Sequence, residues 1–234
     1  MNNSIAAVGP AKRLRTAFLV AVACDLALIF LRVLRYPPLL RQHNALIFIL
    51  EPVILLTLYG GIAVATTRNI GSQRYAALRV GVTLGLVTGI MWIVNLAMET
   101  FSPVSGIPVT APLLLGAFIL WGVAGFLAAR QTGSLSLGIL AAIWAAMLCV
   151  LLAITFGFLL TYTSLPTLER QMIADPDFLR SGWSNIRAFA IANAFDSAFS
   201  HLWGGLLVSA VFGATGSGVG LFTSRLRPHG AARR

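Results

Sequence analysis

Six long uninterrupted apolar runs constrain this chain more than any other feature. A helix needs about 20 apolar residues to cross a hydrocarbon core of about 30 Å. Runs of that order lie at about 16–34, 45–66, 76–98, 111–129, 135–162 and 202–222. Strands of a membrane barrel alternate apolar and polar residues, and these runs do not. Of the 234 residues, 58% are hydrophobic and 10% charged, and the mean hydropathy is +0.86. A soluble domain carries about 25% charged residues, so ordinary soluble enzymes, disordered chains and disulfide scaffolds are excluded. The expected fold is all-α: a polytopic integral membrane protein with a six-helix transmembrane bundle. An interfacial or amphipathic helical segment is expected in the outer loop before the last helix. The domain reading is a basic N-terminal segment at 1–15, a transmembrane domain at 16–224 with its outer loop at 163–201, and a basic tail at 225–234.

The first run lies between Arg15 and Arg32, which enclose 16 residues, or about 24 Å of helix. Arginines that snorkel outward close the gap to a full crossing. Lys12, Arg13 and Arg15 also resemble the basic start of a signal peptide, but no small-residue cleavage site follows. After Ala21-Val22-Ala23-Cys24, where a lipoprotein turns polar, the chain stays apolar through Leu31. An uncleaved anchor helix is expected.

The charges then orient the chain. Lys and Arg number 17 against 7 Asp and Glu, a formal net charge of +10. No basic helix or aromatic-basic motif accompanies the excess, which argues against nucleic acid. Six spans put both termini on one side, with Lys12, Arg13, Arg15, Arg68, Arg74, Arg79, Arg130, Arg225, Arg227, Arg233 and Arg234. The opposite side holds Arg32, Arg35, Arg41, Arg170, Arg180 and Arg187. Cytoplasmic loops collect Lys and Arg, so both termini are expected in the cytoplasm, in a plasma membrane of the bacterial inner-membrane type. Cys24 and Cys149 lie inside apolar runs without CxxC spacing, so neither a disulfide nor a metal site is expected. No cofactor motif is present: HExxH, paired His ligands, phosphate loops and kinase-type signatures are all missing.

A repeat with a 62-residue offset relates Tyr59-Gly60, Arg68-Asn69 and Gly71-Ser72 to Trp121-Gly122, Arg130-Gln131 and Gly133-Ser134. Duplicated helix hairpins in parallel orientation have this pattern. Cytoplasmic turns also favour Arg and Gly-Ser for local reasons, and both readings stay open. In the outer loop, Ser164 with Pro166 and Asp175 with Pro176 read as helix starts. From Ala188 to Phe222 the near-apolar stretch is 35 residues, about 52 Å as helix. This exceeds one crossing, so part of it should lie at the interface, re-enter, or pack over the outer face of the bundle. Phe178, Trp183, Phe189 and Phe195 suit an interface.

Ionisable groups inside spans are costly and mark candidate sites. Asp25 reads either as a proton or cation site or as a helix–helix hydrogen bond. Glu51 precedes Pro52, which removes one backbone hydrogen bond from the second helix; it reads as a transporter-like ion site or as a partner of Arg32, Arg35 or Arg41. Asn95 and Glu99 lie one turn apart on one helical face. An outer vestibule collecting Glu51, Asn95, Glu99, Asp196, His201 and the arginines is one expectation, and interfacial ion pairing of the same residues is the other. Ser197 and His201 share a face, but Asp196 projects about 100° away, which defeats a catalytic triad. Gly216 and Gly220 form GxxxG, with Ala214 and Gly218 in a second row beginning at Ala210, a face for helix packing. The partner of that face is a helix of this chain, a second copy, or another membrane protein.

Three functions remain. The leading one is a non-catalytic membrane component acting through helix packing or partner binding. The first alternative is a small solute or ion permease or channel using Asp25 and Glu51. The second is a membrane-embedded enzyme with an outer-face site.

Overall fold

The computed structural model describes residues 3–68, 70–101, 107–173 and 175–226. The basic residues Arg227, Arg233 and Arg234 and the repeat position Asn69 lie outside the described residues. Among the described residues eight α-helices follow in order: α1 Asn3–Arg35, α2 Ala45–Thr67, α3 Ser72–Phe101, α4 Ile107–Thr132, α5 Leu135–Thr163, α6 Leu165–Met172, α7 Pro176–Ser181 and α8 Ile186–Arg225. A 3-10 turn at Pro37–Arg41 joins α1 to α2. Six of these helices (α1, α2, α3, α4, α5 and α8) are long and apolar enough to cross a membrane. The chain is a multi-pass, all-α membrane protein built as a six-helix bundle.

α5 is the axis of the bundle. Its apolar window is 67% buried, against 28–33% for the other five spans. It packs on α1, α3, α4 and α8, so no side of it is reserved for lipid and its sequence is apolar all round. α8 is the second hub and packs on α2, α4 and α5.

The hubs are approached through glycine. Gly81, Gly85 and Gly89 recur every fourth residue on α3 and face α5. A Cβ at Gly85 would stand 2.7 Å from the Ala145 carbonyl oxygen, and one at Gly89 would stand 2.6 Å from Leu152 Cδ1. Gly125 of α4 meets Gly213 of α8 in the same way, 2.7 Å from its carbonyl oxygen. Small residues let helix backbones come close enough for dispersion to replace the hydrophobic gain that lipid does not provide. Buried cross-helix hydrogen bonds add direction: Tyr59 Oη donates to the Leu202 carbonyl at 2.8 Å, Trp144 Nε1 to Thr66 Oγ1 at 3.1 Å, and Trp121 Nε1 to Thr88 Oγ1 at 3.3 Å.

Several expectations are corrected. α1 starts at Asn3 rather than near residue 16, so Lys12, Arg13 and Arg15 ride on the helix instead of preceding it. Long basic side chains reach water from the first turns of a span, so their charge does not end the helix. The packed face of α1 is Ala11, Phe18, Val22, Asp25, Ile29 and Arg32, all buried. The long C-terminal stretch neither re-enters nor lies flat. It is one helix of 40 residues, about 60 Å long, whose outer turns are buried at Ala188, Ile191, Ala192 and Phe195. Phe195 therefore sits in the core, edge-on to Phe158 at 5.7 Å, rather than at the interface. The outer loop does hold short helices with the expected starts. Pro166 is in the first turn of α6, and Asp175 caps α7 by accepting from the Asp177 amide at 2.7 Å.

The repeated motifs do not mark repeated hairpins. α4 and α5 pack along each other, whereas α2 and α3 barely touch, α2 leaning on α1 and α8 and α3 on α5 and α4. Gly133 takes a left-handed φ of +67°, and Gly71 does not. The two turns share residue chemistry and not geometry.

The glycine contacts yield a stability test. Gly85→Leu should lower stability by at least about 2 kcal/mol, because the added side chain meets backbone. Gly218→Leu, where nothing lies within 4 Å of an added Cβ, should leave it unchanged. Unfolding of the purified protein in a denaturing-detergent titration reads both, and equal midpoints for the two variants would remove the proposed role of the α3–α5 contact.

Candidate functional site

The halves of α3, α5 and α8 on the side of α6, termed the outer halves, diverge around a cavity of about 250 Å³ that α6 covers. Its existence follows from small residues. α8 contributes Ala190, Ala194 and Ala198, and α5 contributes Ala153 and Gly157. A Cβ on Gly157 would find nothing within 4 Å. α6 presents Leu168, Gln171 and Met172 from one face, as residues at i, i+3 and i+4 must. On the other side of α6, Glu169 pairs with Arg187 Nε at 2.5 Å. Arg187, Ala190, Ala194, Ser197 and His201 fall on one face of α8 by the same periodicity, so Arg187 continues that face one turn beyond the lining.

The walls are mostly apolar, with polar groups at a few points. His201 stands edge-on to Trp92, with ring centres 4.7 Å apart. Its Nδ1 lies within hydrogen-bond distance of the Ser197 carbonyl, which can only accept. Nδ1 therefore acts as the donor in that contact. The Ser197 hydroxyl is 3.3 Å from the same Nδ1. Glu99 lines the cavity and accepts from the Asn95 side-chain amide at 3.1 Å. Asn193 and Gln171 add two further amides. Trp92 is 8% exposed, and its indole N–H is buried without a hydrogen-bond partner among the described residues. Buried donors of this kind are rare in folded proteins.

The vestibule expected from the sequence is thus assembled only in part. Glu99 and His201 line one cavity, and Asn95 stands behind Glu99. Glu51, Asp196 and the arginines are not among its lining residues. Glu51 is half-buried on α2 and forms no hydrogen bond or ion pair among the described residues, so pairing with Arg32, Arg35 or Arg41 does not occur. Asp196 is half-buried beside Ser197, on a different side of α8. Asp25 is fully buried. Its Oδ1 accepts from Thr155 Oγ1 at 2.6 Å, a helix–helix bond between α1 and α5, and its Oδ2 has no partner among the described residues. Arg32 and Arg35 do not reach it.

The GxxxG face is used inside the chain. A Cβ on Gly216 would overlap the Gly122 carbonyl, and one on Gly220 would stand 2.5 Å from the Phe126 carbonyl oxygen, so both glycines seat α8 on α4. Ala214 and Gly218 face outward. Trp92 and Gln171 carried no signal as site residues, and Asn193 stood out only as a polar break in a near-apolar stretch. Gly157 offered a hint, as a residue without a side chain inside an otherwise large-residue stretch of α5.

Among the described residues, no group of three or more His, Cys, Asp or Glu gathers to hold a metal. Comparison with protein families, with curated proteins and with solved structures finds no match to this chain. The arrangement offers donors and acceptors around an apolar hollow. Ser197 and His201 on successive turns of one helix lack the third, orienting group of a nucleophile system.

The Asp25 contact makes its own prediction. Thr155→Val removes the one donor that the buried carboxyl group has and should cost about 1–3 kcal/mol. Asp25→Asn keeps an acceptor for Thr155 and should cost less. Denaturing-detergent titrations of the two variants give the order, and a Thr155→Val protein as stable as the wild type would show that the bond contributes nothing.

Proposed function

We propose that the protein is a non-catalytic membrane component that binds an amphipathic molecule in the outer-half cavity between α3, α5 and α8. The observation that carries this reading is a cavity walled mostly by small and apolar residues, with Glu99, Gln171, Asn193 and His201 as its placed polar groups. Its amides and His201 would meet a polar head, and the alanines of α8 with Gly157 would receive an apolar segment. Ligand pockets have this composition, apolar walls with a few placed polar groups. A volume of about 250 Å³ lies just below the usual range for a whole small ligand. The cavity therefore takes one portion of a longer amphiphile, such as an uncharged polar head with the start of its chain.

A permease acting through Asp25 and Glu51 finds less support. Asp25 is buried against Thr155, Glu51 stands on α2, and neither borders the cavity. Gly157→Leu fills the hollow without meeting backbone, so the variant should fold. Native mass spectrometry of protein loaded with a monoacylglycerol should show roughly tenfold less retained ligand for this variant. Equal retention would remove the cavity as the binding site.

Orientation belongs to the same proposal. Lys12, Arg13, Arg15, Arg68, Arg74, Arg79, Arg130 and Arg225 fall at one end of the bundle by the alternation of the six spans. The excess of positive charge assigns that end to the cytoplasm of a plasma membrane. A reporter enzyme fused after Arg234 should be active only in the cytoplasm; activity on the opposite side inverts the topology.

A further inference from the structure

A second polar cluster lies at the outer end of α1, apart from the cavity. Arg32 is on the packed face of α1 and is 8% exposed. Its guanidinium carbon stands 4.9 Å from the centre of the Tyr162 ring, and that of Arg35 stands 5.7 Å from the same centre. Arg187 and Glu169 are within electrostatic range of Arg32, but Glu169 already pairs with Arg187. Three guanidinium groups thus share one carboxylate. Neither Arg32 nor Arg35 forms an ion pair among the described residues. Arg32 Nε and one terminal nitrogen are buried with no hydrogen-bond partner among the described residues.

A buried guanidinium with unused donors is expensive. An aromatic face offsets part of that cost but satisfies none of the N–H groups. Those two nitrogens are closed to solvent, but the other terminal nitrogen of Arg32 and the exposed guanidinium of Arg35 are open to an anion that is rich in acceptors and small enough to meet both. A phosphate group has these properties, and the arginine fork matches it in geometry. The position sets the level in the membrane. Tyr162 is the penultimate residue of α5 and anchors to α1 through a 2.7 Å bond to the Leu28 carbonyl. The cluster therefore lies where the span ends and headgroups begin. Beside it, Phe30, Leu31 and Leu34 are exposed on α1, a surface that acyl chains cover in a bilayer.

We propose that Arg32 and Arg35, held by Tyr162, form a binding site for a phosphate group at the outer membrane interface, supplied by the headgroup of an anionic phospholipid. Free inorganic phosphate has the same chemistry, and the test separates the two sources. Protein in nanodiscs of phosphatidylcholine with added phosphatidylglycerol is released into native mass spectrometry and the retained phosphatidylglycerol is counted. Retention should fall about tenfold in Arg35→Gln and further in Arg32→Gln, since charge-assisted bonds of this kind are worth a factor of ten or more. Arg130→Gln, which removes an equal charge at the opposite membrane face, should retain the wild-type amount. Arg35 is exposed, so its variant should fold even if loss of Arg32 disturbs packing. Inorganic phosphate in the millimolar range that displaces the lipid identifies free phosphate as a competing ligand of the same site. Phosphate without effect assigns the site to the lipid headgroup alone. Wild-type retention in Arg35→Gln and Arg32→Gln, or equal losses in Arg130→Gln, overturns the proposal.

Discussion

Lipid gives packed helices no hydrophobic reward, because acyl chains are as apolar as leucine. Helices in a bilayer must instead gain from short-range dispersion and from hydrogen bonds that lipid cannot make. In this protein both gains depend on how closely α3 and α8 approach α5, and the approach is set by glycine. Gly81, Gly85 and Gly89 bring α3 onto α5, while Gly213, Gly216 and Gly220 bring α8 onto α5 and α4. The inner halves are drawn tight by these contacts. Further out, α5 and α8 carry alanines without a matching partner ridge, and the hollow opens there. The cavity is the outer continuation of the packing that closes the inner half.

The polar groups of the outer half fall into two regions that differ in sign and surroundings. One is the cavity, with Glu99, His201, two amides and an indole N–H around apolar walls. The other is the arginine cluster at the end of α1, where Arg32 and Arg35 stand by the Tyr162 ring. α6 stands between them. Leu168, Gln171 and Met172 cover the cavity while Glu169 holds Arg187. A short helix of 8 residues has no stability of its own in water, so α6 keeps its place only through these contacts.

Much of this architecture was legible in the sequence, because six apolar runs leave a chain few other folds. The hydrogen bond of Asp25 to another helix was one of its two readings, since a lone carboxyl group in a span needs some donor. The length of α8 was legible too, but not its course. A stretch too long for one crossing can lie flat or stand upright, and only the partners that bury Ala188, Ile191 and Phe195 decide between them. The α3 glycines were visible at their spacing of four, yet a glycine stripe does not name the helix it meets. The cavity left almost no trace, because a hollow is made by what is missing from several helices at one level. Glu51 and Asp196 illustrate the converse: charge inside an apolar run draws attention, but helical phase sends both away from the hollow.

The continuity of α8 has a mechanical side. The helix crosses α4 with Gly216 against Gly122, and its two ends lie at unequal distances from that crossing. From Ile186 to Gly216 the arm is about 45 Å, and from Gly216 to Arg225 about 14 Å. An unbroken helix behaves as a stiff lever on this scale. A tilt about the crossing would carry an outer-end displacement to the other membrane face at about one third of its size and with opposite direction.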